Sequence, residues 1–312
     1  MKKFIVDILK FGSIGTVIYI LGVIICGEFF PGMLYNNLQY DFGANDYIHY
    51  KLEELKEEKE YDIVFVGSSH CYRTFDTRLF QERGFSSINL GSKSQSHIQT
   101  NVWLKDFIDQ MNPKLLIYEV YPIMFSVDGI ESTVDMVNNE YPLNSLAKTI
   151  WQQKHLKVIN SIIFRRYREI FFGNYRDYVK ENFGSRYIDG GFVEKVEDVE
   201  SEYNVDSMYV DILDVQLKAF KQNVSLLKDK GVPYVLVEAP VTTQSFDHMI
   251  GADIVRDTIS KYGDYINFNT ISNLDDHKHF FDHDHLNQEG VEVFIPSFID
   301  YLEDRGVLPK EY

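Results

Sequence analysis

The sequence predicts an α/β fold: a parallel sheet covered by helices on both faces, with an N-terminal transmembrane helix before it and a largely helical insertion within it. Three observations predict this. Short β-favouring runs alternate with amphipathic stretches from Asp62 onward, the pattern of a parallel sheet. An apolar run without charge occupies Phe11–Gly27. The stretch Ser126–Met208 breaks the alternation and is too long for a plain connection.

Taken in order, Lys51–Asp62 is a charged, helix-favouring run that reads as a solvated helix leading into the domain. Asp62–Ser69 (DIVFVGSS) reads as a buried strand ending in a glycine turn. A helix is expected around Thr74–Arg83, stopped by Gly84. A strand at Ser87–Gly91 and a helix near Ile98–Met111 follow, and Asn112-Pro113 ends that helix. The third strand is Lys114–Val120 (KLLIYEV). Beyond the insertion come a helix over Asp211–Lys230, a strand at Pro233–Ala239 and a helix near Phe246–Tyr262. A short strand at Tyr265–Asn269 and a last helix over Gln288–Asp304 complete the pattern. The expected organisation is a cytoplasmic tip and anchor in residues 1–30, a linker and charged helix in 31–61, and the α/β domain in 62–312, with the insertion at about 126–208.

The 312 residues can hold one sizeable domain besides an anchor and an insertion. A net charge of −16 argues against a nucleic-acid partner, because phosphate binding needs a basic footprint. Cys26 lies in the apolar run and Cys71 just after Ser69, so no disulfide between them is expected. No cofactor is expected.

With its flanks, the apolar run comes close to the roughly 30 Å of a hydrocarbon core at about 1.5 Å per residue. Lys2, Lys3 and Lys10 precede it, while Glu28, Asp41 and Asp46 follow. The positive-inside rule then leaves the short N-terminus in the cytoplasm and everything after about residue 30 outside. Three other readings compete with a retained anchor. A cleaved signal peptide would want small residues at a cleavage site, and none stand out after Ile25. A lipidated Cys26 would follow small residues, and Ile24 and Ile25 are bulky. The third is a buried core helix.

Charge is segregated within the insertion. Lys154 to Arg186 holds eight Lys/Arg, Arg176 among them, against three acids that include Asp177. Asp189 to Asp206 then holds seven acids against Lys195 alone. This pattern suits a helical cap with a solvated polar face, or a lid or docking surface for an anionic polymer or lipid headgroups. Trp103 and Trp151 read as packing residues, with sugar stacking by Trp151 as the other reading.

A serine hydroxyl needs an imidazole to take its proton, and that imidazole needs a carboxylate to hold its tautomer. Gly67-Ser68-Ser69-His70 follows the first buried strand, and Asp282-His283-Asp284-His285 precedes the last helix. Both places are carboxyl ends of strands or loops beyond them, where chemistry gathers in parallel sheets. Ser69, Asp282 and His285 are therefore the candidate nucleophile, orienter and base, with Asp284 as the alternative orienter. His277, His279, His283 and His285 also raise a zinc reading, but their spacing matches no helical pair and no cysteine joins them; no metal is expected. His70 and Tyr121 are candidates for an acceptor site. Glu119 and Glu238, at strand ends, receive no role.

These motifs resemble the SGNH/GDSL hydrolase superfamily. The first block appears as Ile63–His70 (IVFVGSSH), with Ser69 at the nucleophile position and Ser68 in place of the usual Asp. The last appears as Phe281–Gly290 (FDHDHLNQEG), giving His285 as base and Asp282 as its partner, and Asn287 and Gly290 continue into the final helix. The resemblance covers most of residues 62–304 apart from the insertion and implies a flavodoxin-like three-layer sandwich. It also implies an oxyanion hole built from the Ser69 N–H, a glycine N–H and an Asn side chain. Here Ser94 in Asn89–Ser96 (NLGSKSQS) falls where that glycine would be, and Leu116–Pro122 (LIYEVYP) contains no Asn. Together with an anchor, the resemblance extends to envelope-modifying branches, namely teichoic-acid D-alanylation and polysaccharide O-acetylation proteins. It implies serine-dependent acyl transfer or ester hydrolysis on a cell-surface glycopolymer, with an acyl donor that in some such systems comes through a membrane-bound O-acyltransferase. The alternative is a non-catalytic scaffold of the same fold that binds a glycopolymer or a membrane partner.

Overall fold

Runs such as Ile63–Val66 and Leu115–Glu119 are buried at every position, as strands covered on both faces must be. In the computed structural model, described for residues 1–30, 37–38, 47–173, 179–182, 184–196 and 205–308, the chain divides into two units. One takes in Met1–Ala44 and Thr133–Tyr178, the other Asn45–Ser132 and Val179–Tyr312. Asp41, Asp46, Arg176, Asp177 and residues 197–204 of the acidic stretch lie outside the described residues.

The elements run α1 (Lys2–Phe29), α2 (Ile48–Leu55), β1 (Ile63–Val66), α3 (Ser69–Thr74), α4 (Thr77–Glu82), β2 (Ser87–Asn89), α5 (His97–Met111) and β3 (Leu115–Glu119). The insertion contributes α6 (Ile130–Asn138), α7 (Leu143–Gln153), α8 (Leu156–Phe172), β4 (Glu181–Asn182), β5 (Ser185–Ile188), β6 (Phe192–Lys195) and β7 (Met208–Tyr209). Then follow α9 (Asp214–Asp229), β8 (Tyr234–Glu238), α10 (Thr243–Asp247), β9 (Met249–Ile250), α11 (Ala252–Ile259), β10 (Tyr265–Asn267) and α12 (Gln288–Asp304).

The predicted parallel sheet is present, in the order β10-β8-β3-β1-β2 with every pairing parallel. Read from β2, this is the flavodoxin-like order. Alternation along each strand sorts its two faces. Ile63, Phe65, Leu115, Ile117, Val235 and Val237 join Phe75, Phe80 and the α12 residues Phe294 and Phe298 in one core. On the other face Tyr118 packs on Phe220 of α9 and His97 of α5. Because β1 lies between β2 and β3, whatever follows its carboxyl end is held from both sides.

The helix expected around Thr74–Arg83 is present as α4, begun at Thr77 because Asp76 caps it by accepting the Arg78 N–H at 3.0 Å, and the short α3 before it was not expected. One expected helix is broken. In place of Phe246–Tyr262 the chain makes α10, β9 and α11. Gly251, at φ +90, brings its backbone so near the Val210 carbonyl that a Cβ would lie 2.6 Å away, while Met249–Ile250 pairs with Met208–Tyr209. The insertion is helical first and then carries a three-stranded antiparallel sheet, β4-β5-β6. Arg73 of α3 donates to the Val193 carbonyl (3.3 Å) and Ser185 Oγ (2.9 Å), which ties that small sheet to the helix beginning at Ser69. Trp103 is fully buried, as a packing residue should be, whereas Trp151 is 73% exposed and packs nothing away from solvent.

Candidate active site

Gly67 carries the chain out of β1, and its lack of a side chain is what lets Glu119 approach. A Cβ there would fall 2.5 Å from Glu119 Oε2 and 2.6 Å from Glu119 Cβ. Gly67→Ala is therefore expected to destabilise the domain by about 1–3 kcal/mol through overpacking, read as a lower urea midpoint with unchanged slope. Ser68 then caps α3, its Oγ accepting the His70 N–H at 3.3 Å. Ser69 is the first residue of α3, partly exposed, and its N–H has no hydrogen-bond partner among the described residues, as expected in a helix's first turn.

The second half of the site is one pinched loop. The Phe281 N–H donates to the His285 carbonyl at 3.0 Å, with Phe280 and Leu286 bridged antiparallel behind it. Asp282 Oδ1 accepts the N–H groups of Asp284 (3.0 Å) and His285 (2.8 Å), so the carboxylate folds the loop that presents the imidazole. Asn287 starts α12 by accepting the Gly290 N–H at 2.8 Å.

The structure brings the three candidates together. His285 Nε2 lies 2.8 Å from Ser69 Oγ, and His285 Nδ1 lies 3.0 Å from each Asp282 oxygen. Asp284 comes in as well, with Oδ1 2.8 Å from the same Nδ1. Asp282 meets Nδ1 with both oxygens, and Asp284 adds the larger charge effect on the same imidazole. Burial pushes the His285 imidazolium down. The Asp284 charge and the hydrogen bonds to both carboxylates outweigh it and hold the group up at about 9. Burial would raise Asp284, yet His285 first and then His70 keep it well below the usual carboxylate range.

His70 is sandwiched between His285 (ring centroids 4.7 Å apart, 18° between planes) and Tyr121 (3.9 Å, 38°). Its Nδ1 lies 3.1 Å from Ser68 Oγ, and its Nε2 lies 3.6 Å from Asp284 Oδ2. The polar atoms of His70, Asp284 and His285 thus lie within 4.8 Å of one another. Tyr121 Oη is buried with no hydrogen-bond partner among the described residues. Burial, reinforced by Asp284, Glu238 and Glu119, pushes its phenol well up, so it keeps its proton and remains a donor.

Ser94 is not drawn to this centre by its side chain, whose Oγ faces Glu131 at 3.1 Å. The residue of that block lying against the Ser69 turn is Gly91, where a Cβ would fall 2.8 Å from Cys71 Cβ and 2.9 Å from the Ser68 carbonyl. The four loop histidines do not converge. His279 Nδ1 accepts the Asp275 N–H at 2.8 Å, and His283 Nδ1 lies 3.0 Å from Ser245 Oγ. Sequence reasoning placed Glu119 at a strand end and gave it no role. It is fully buried and accepts from the Ser68 N–H (2.7 Å), Ser68 Oγ (2.8 Å) and the Tyr121 N–H (2.7 Å). Its only advance signal is a charged residue in an otherwise apolar central strand. Glu238, at the end of β8, is held by Arg256 at 2.8 Å and by the Tyr265 hydroxyl, a structural pairing.

No protein-family model matches the chain, and a search of curated proteins returns no match. Among solved structures it is similar to a candidate acylhydrolase from Bacteroides fragilis, at 11% identity over 86% of this chain and 99% of that one, with a TM-score of 0.39. It is also similar to a GDSL-like lipase from Bacteroides thetaiotaomicron, at 12% identity over 85% of this chain and 100% of that one, with a TM-score of 0.40.

Proposed function

We propose that this chain is a serine-dependent acyltransferase or esterase, anchored by α1 with the site outside the cytoplasm, that acts on a cell-surface polysaccharide or teichoic-type polymer. The observation that carries the reading is the unbroken line from Ser69 Oγ through His285 to Asp282, at 2.8 and 3.0 Å. His285 takes the Ser69 proton as Oγ adds to the acyl carbonyl, and returns it to the leaving oxygen as the acyl-enzyme forms. Asp282 holds Nδ1–H toward itself, so that Nε2 is the atom free to accept. The free Ser69 N–H supplies one oxyanion donor and the Ser94 N–H is the second candidate. The protonated Tyr121 hydroxyl is a further donor, and with His70 it lines the acceptor side.

The anchor reading is supported by α1, which is long and apolar enough to cross a membrane, and by Lys2, Lys3 and Lys10 ahead of its apolar run. The envelope polymer and the membrane-bound O-acyltransferase that would supply the acyl donor rest on the resemblance of the sequence blocks. One observation favours the scaffold alternative: the block in which the resemblance calls for an Asn donor contributes the Glu119 carboxylate, which accepts the Ser68 N–H at 2.7 Å.

An activated acetyl ester offered to the intact protein, with and without surface glycan, separates these readings. Hydrolysis alone marks an esterase, and glycan-dependent acylation marks a transferase. Neither reaction in a folded protein overturns both enzymatic readings and leaves the scaffold.

A further inference from the structure

Arg73 carries a charge without an acidic partner. Among the described residues every other arginine pairs with a carboxylate. Arg73 pairs with none, although the chain holds 47 Asp and Glu against 31 Lys and Arg. Glu194, beside Val193 in β6, is already held by Arg78 and Arg186. The acceptors of Arg73 are both neutral, the Val193 carbonyl at 3.3 Å and Ser185 Oγ at 2.9 Å. They occupy only part of the guanidinium's donor set, and a neutral amide has donors enough for two such bonds. Fastening the small sheet to α3 therefore does not explain the charge. A half-buried charge with no counter-ion is costly.

The place of this charge is informative. Arg73 stands four residues after Ser69 in α3, so the two share a helix face with Cβ atoms about 6 Å apart. Its guanidinium carbon lies 5.3 Å from the centroid of the Phe281 ring, and that ring stacks on His285 at 5.5 Å with 14° between planes. Lys195 of β6 brings a second cation to the same ring, its ammonium 5.5 Å from the centroid. Arg73, Lys195 and Phe281 are each partly exposed, as the walls of a binding surface must be.

We infer that Arg73, with Lys195 beside it, is an anion subsite of the candidate active site. It receives a phosphate or carboxylate that the substrate carries a few bonds from its ester. The inference rests on the reading of Ser69 as nucleophile and adds a substrate class to it, an anionic polymer and not a neutral one. Both oxyanions match the paired N–H donors of a guanidinium. The Phe281 face attracts the two cations and holds them beside His285. The missing counter-ion is then supplied by the substrate.

The full-length protein is offered three aryl acetates that differ in one meta substituent: phenyl acetate, 3-acetoxybenzoate and 3-acetoxyphenyl phosphate. The expected result is a higher kcat/KM for at least one anionic ester than for phenyl acetate. Which one it is identifies the group as carboxylate or phosphate. That preference is expected to fall about 10- to 100-fold in Arg73→Gln, and less in Arg73→Lys, which keeps the charge but not the paired donors. Lys195→Gln leaves the Arg73 bonds to Val193 and Ser185 in place. It is expected to lower the preference by a smaller factor, and it carries the test where Arg73→Gln does not fold. An equal loss on all three esters in folded Arg73→Gln marks a structural clamp alone and overturns the proposal. Turnover of all three by the native protein with no anionic preference also overturns it, while leaving acyl chemistry at Ser69 standing. If the native protein hydrolyses none of them, the acyl reading fails and binding decides, read by saturation-transfer NMR with benzoate and phenyl phosphate. Binding that is lost in Arg73→Gln upholds an anion site on a scaffold; no binding, or equal binding by both proteins, overturns it.

Discussion

Ser69→Ala is expected to abolish covalent labelling by a fluorophosphonate probe and to lower acyl turnover by roughly 10⁶-fold, the scale at which a triad nucleophile acts as one unit with its base. His285→Ala is expected to lose nearly as much, because His285 Nε2, at 2.8 Å, is the only hydrogen-bond partner of Ser69 Oγ among the described residues. Folding should survive Ser69→Ala, since the hydroxyl is only half-buried and its partner is the His285 imidazole. A folded native protein that takes no label at Ser69 would overturn the enzymatic reading. It would favour the scaffold that the Glu119 carboxylate leaves open.

The second large effect separates the two carboxylates on His285. Asp282→Asn is expected to cost about 10⁴-fold in kcat, because an amide at that position no longer enforces the tautomer with Nε2 free. Asp284→Asn should cost less in rate but should move the pH profile. With His285 held up at about 9, the imidazole is mostly protonated at neutral pH. The rate should therefore climb with pH and level off above about 9. Removing the Asp284 charge is expected to shift that rise toward the ordinary histidine range near 6.5. A profile that stays put in Asp284→Asn, measured as kcat/KM against pH, would refute this division of labour. The linked stability has a definite sign. His285 is raised above its unfolded value, so its ion pair stabilises fully below about pH 6.5, and the contribution is lost as pH rises through about 9.

The parts of the molecule legible in advance share one property: their determinants are close together in the chain. Strand β1 is visible because Ile63–Val66 is buried on both faces and must be apolar throughout. The Asp282–His285 pair is visible because one loop folds on its own carboxylate. α12 is legible to the residue from Asn287 and the apolar period after it. The break at Gly251 was hidden for the opposite reason. A continuous amphipathic pattern runs through it, and what interrupts it is a strand partner, Met208–Tyr209, far away in sequence. The antiparallel β4-β5-β6 sheet was masked by the charge of its residues, which suits a cap equally well.

By itself, the sequence determined the five strands of the parallel sheet, the apolar helix at the N-terminus, and which serine, aspartate and histidine to bring together. Only the tertiary structure decided how those groups are charged and what surrounds them. It set Asp284 beside Asp282 on one imidazole, stacked His70 between His285 and Tyr121, and put Glu119 on the Ser68 turn. It also left Trp151 in the open. The physical reason is that proton affinity and exposure depend on neighbours within a few ångströms. In a parallel sheet those neighbours come from strand ends separated by whole helices, a distance that local pattern cannot span.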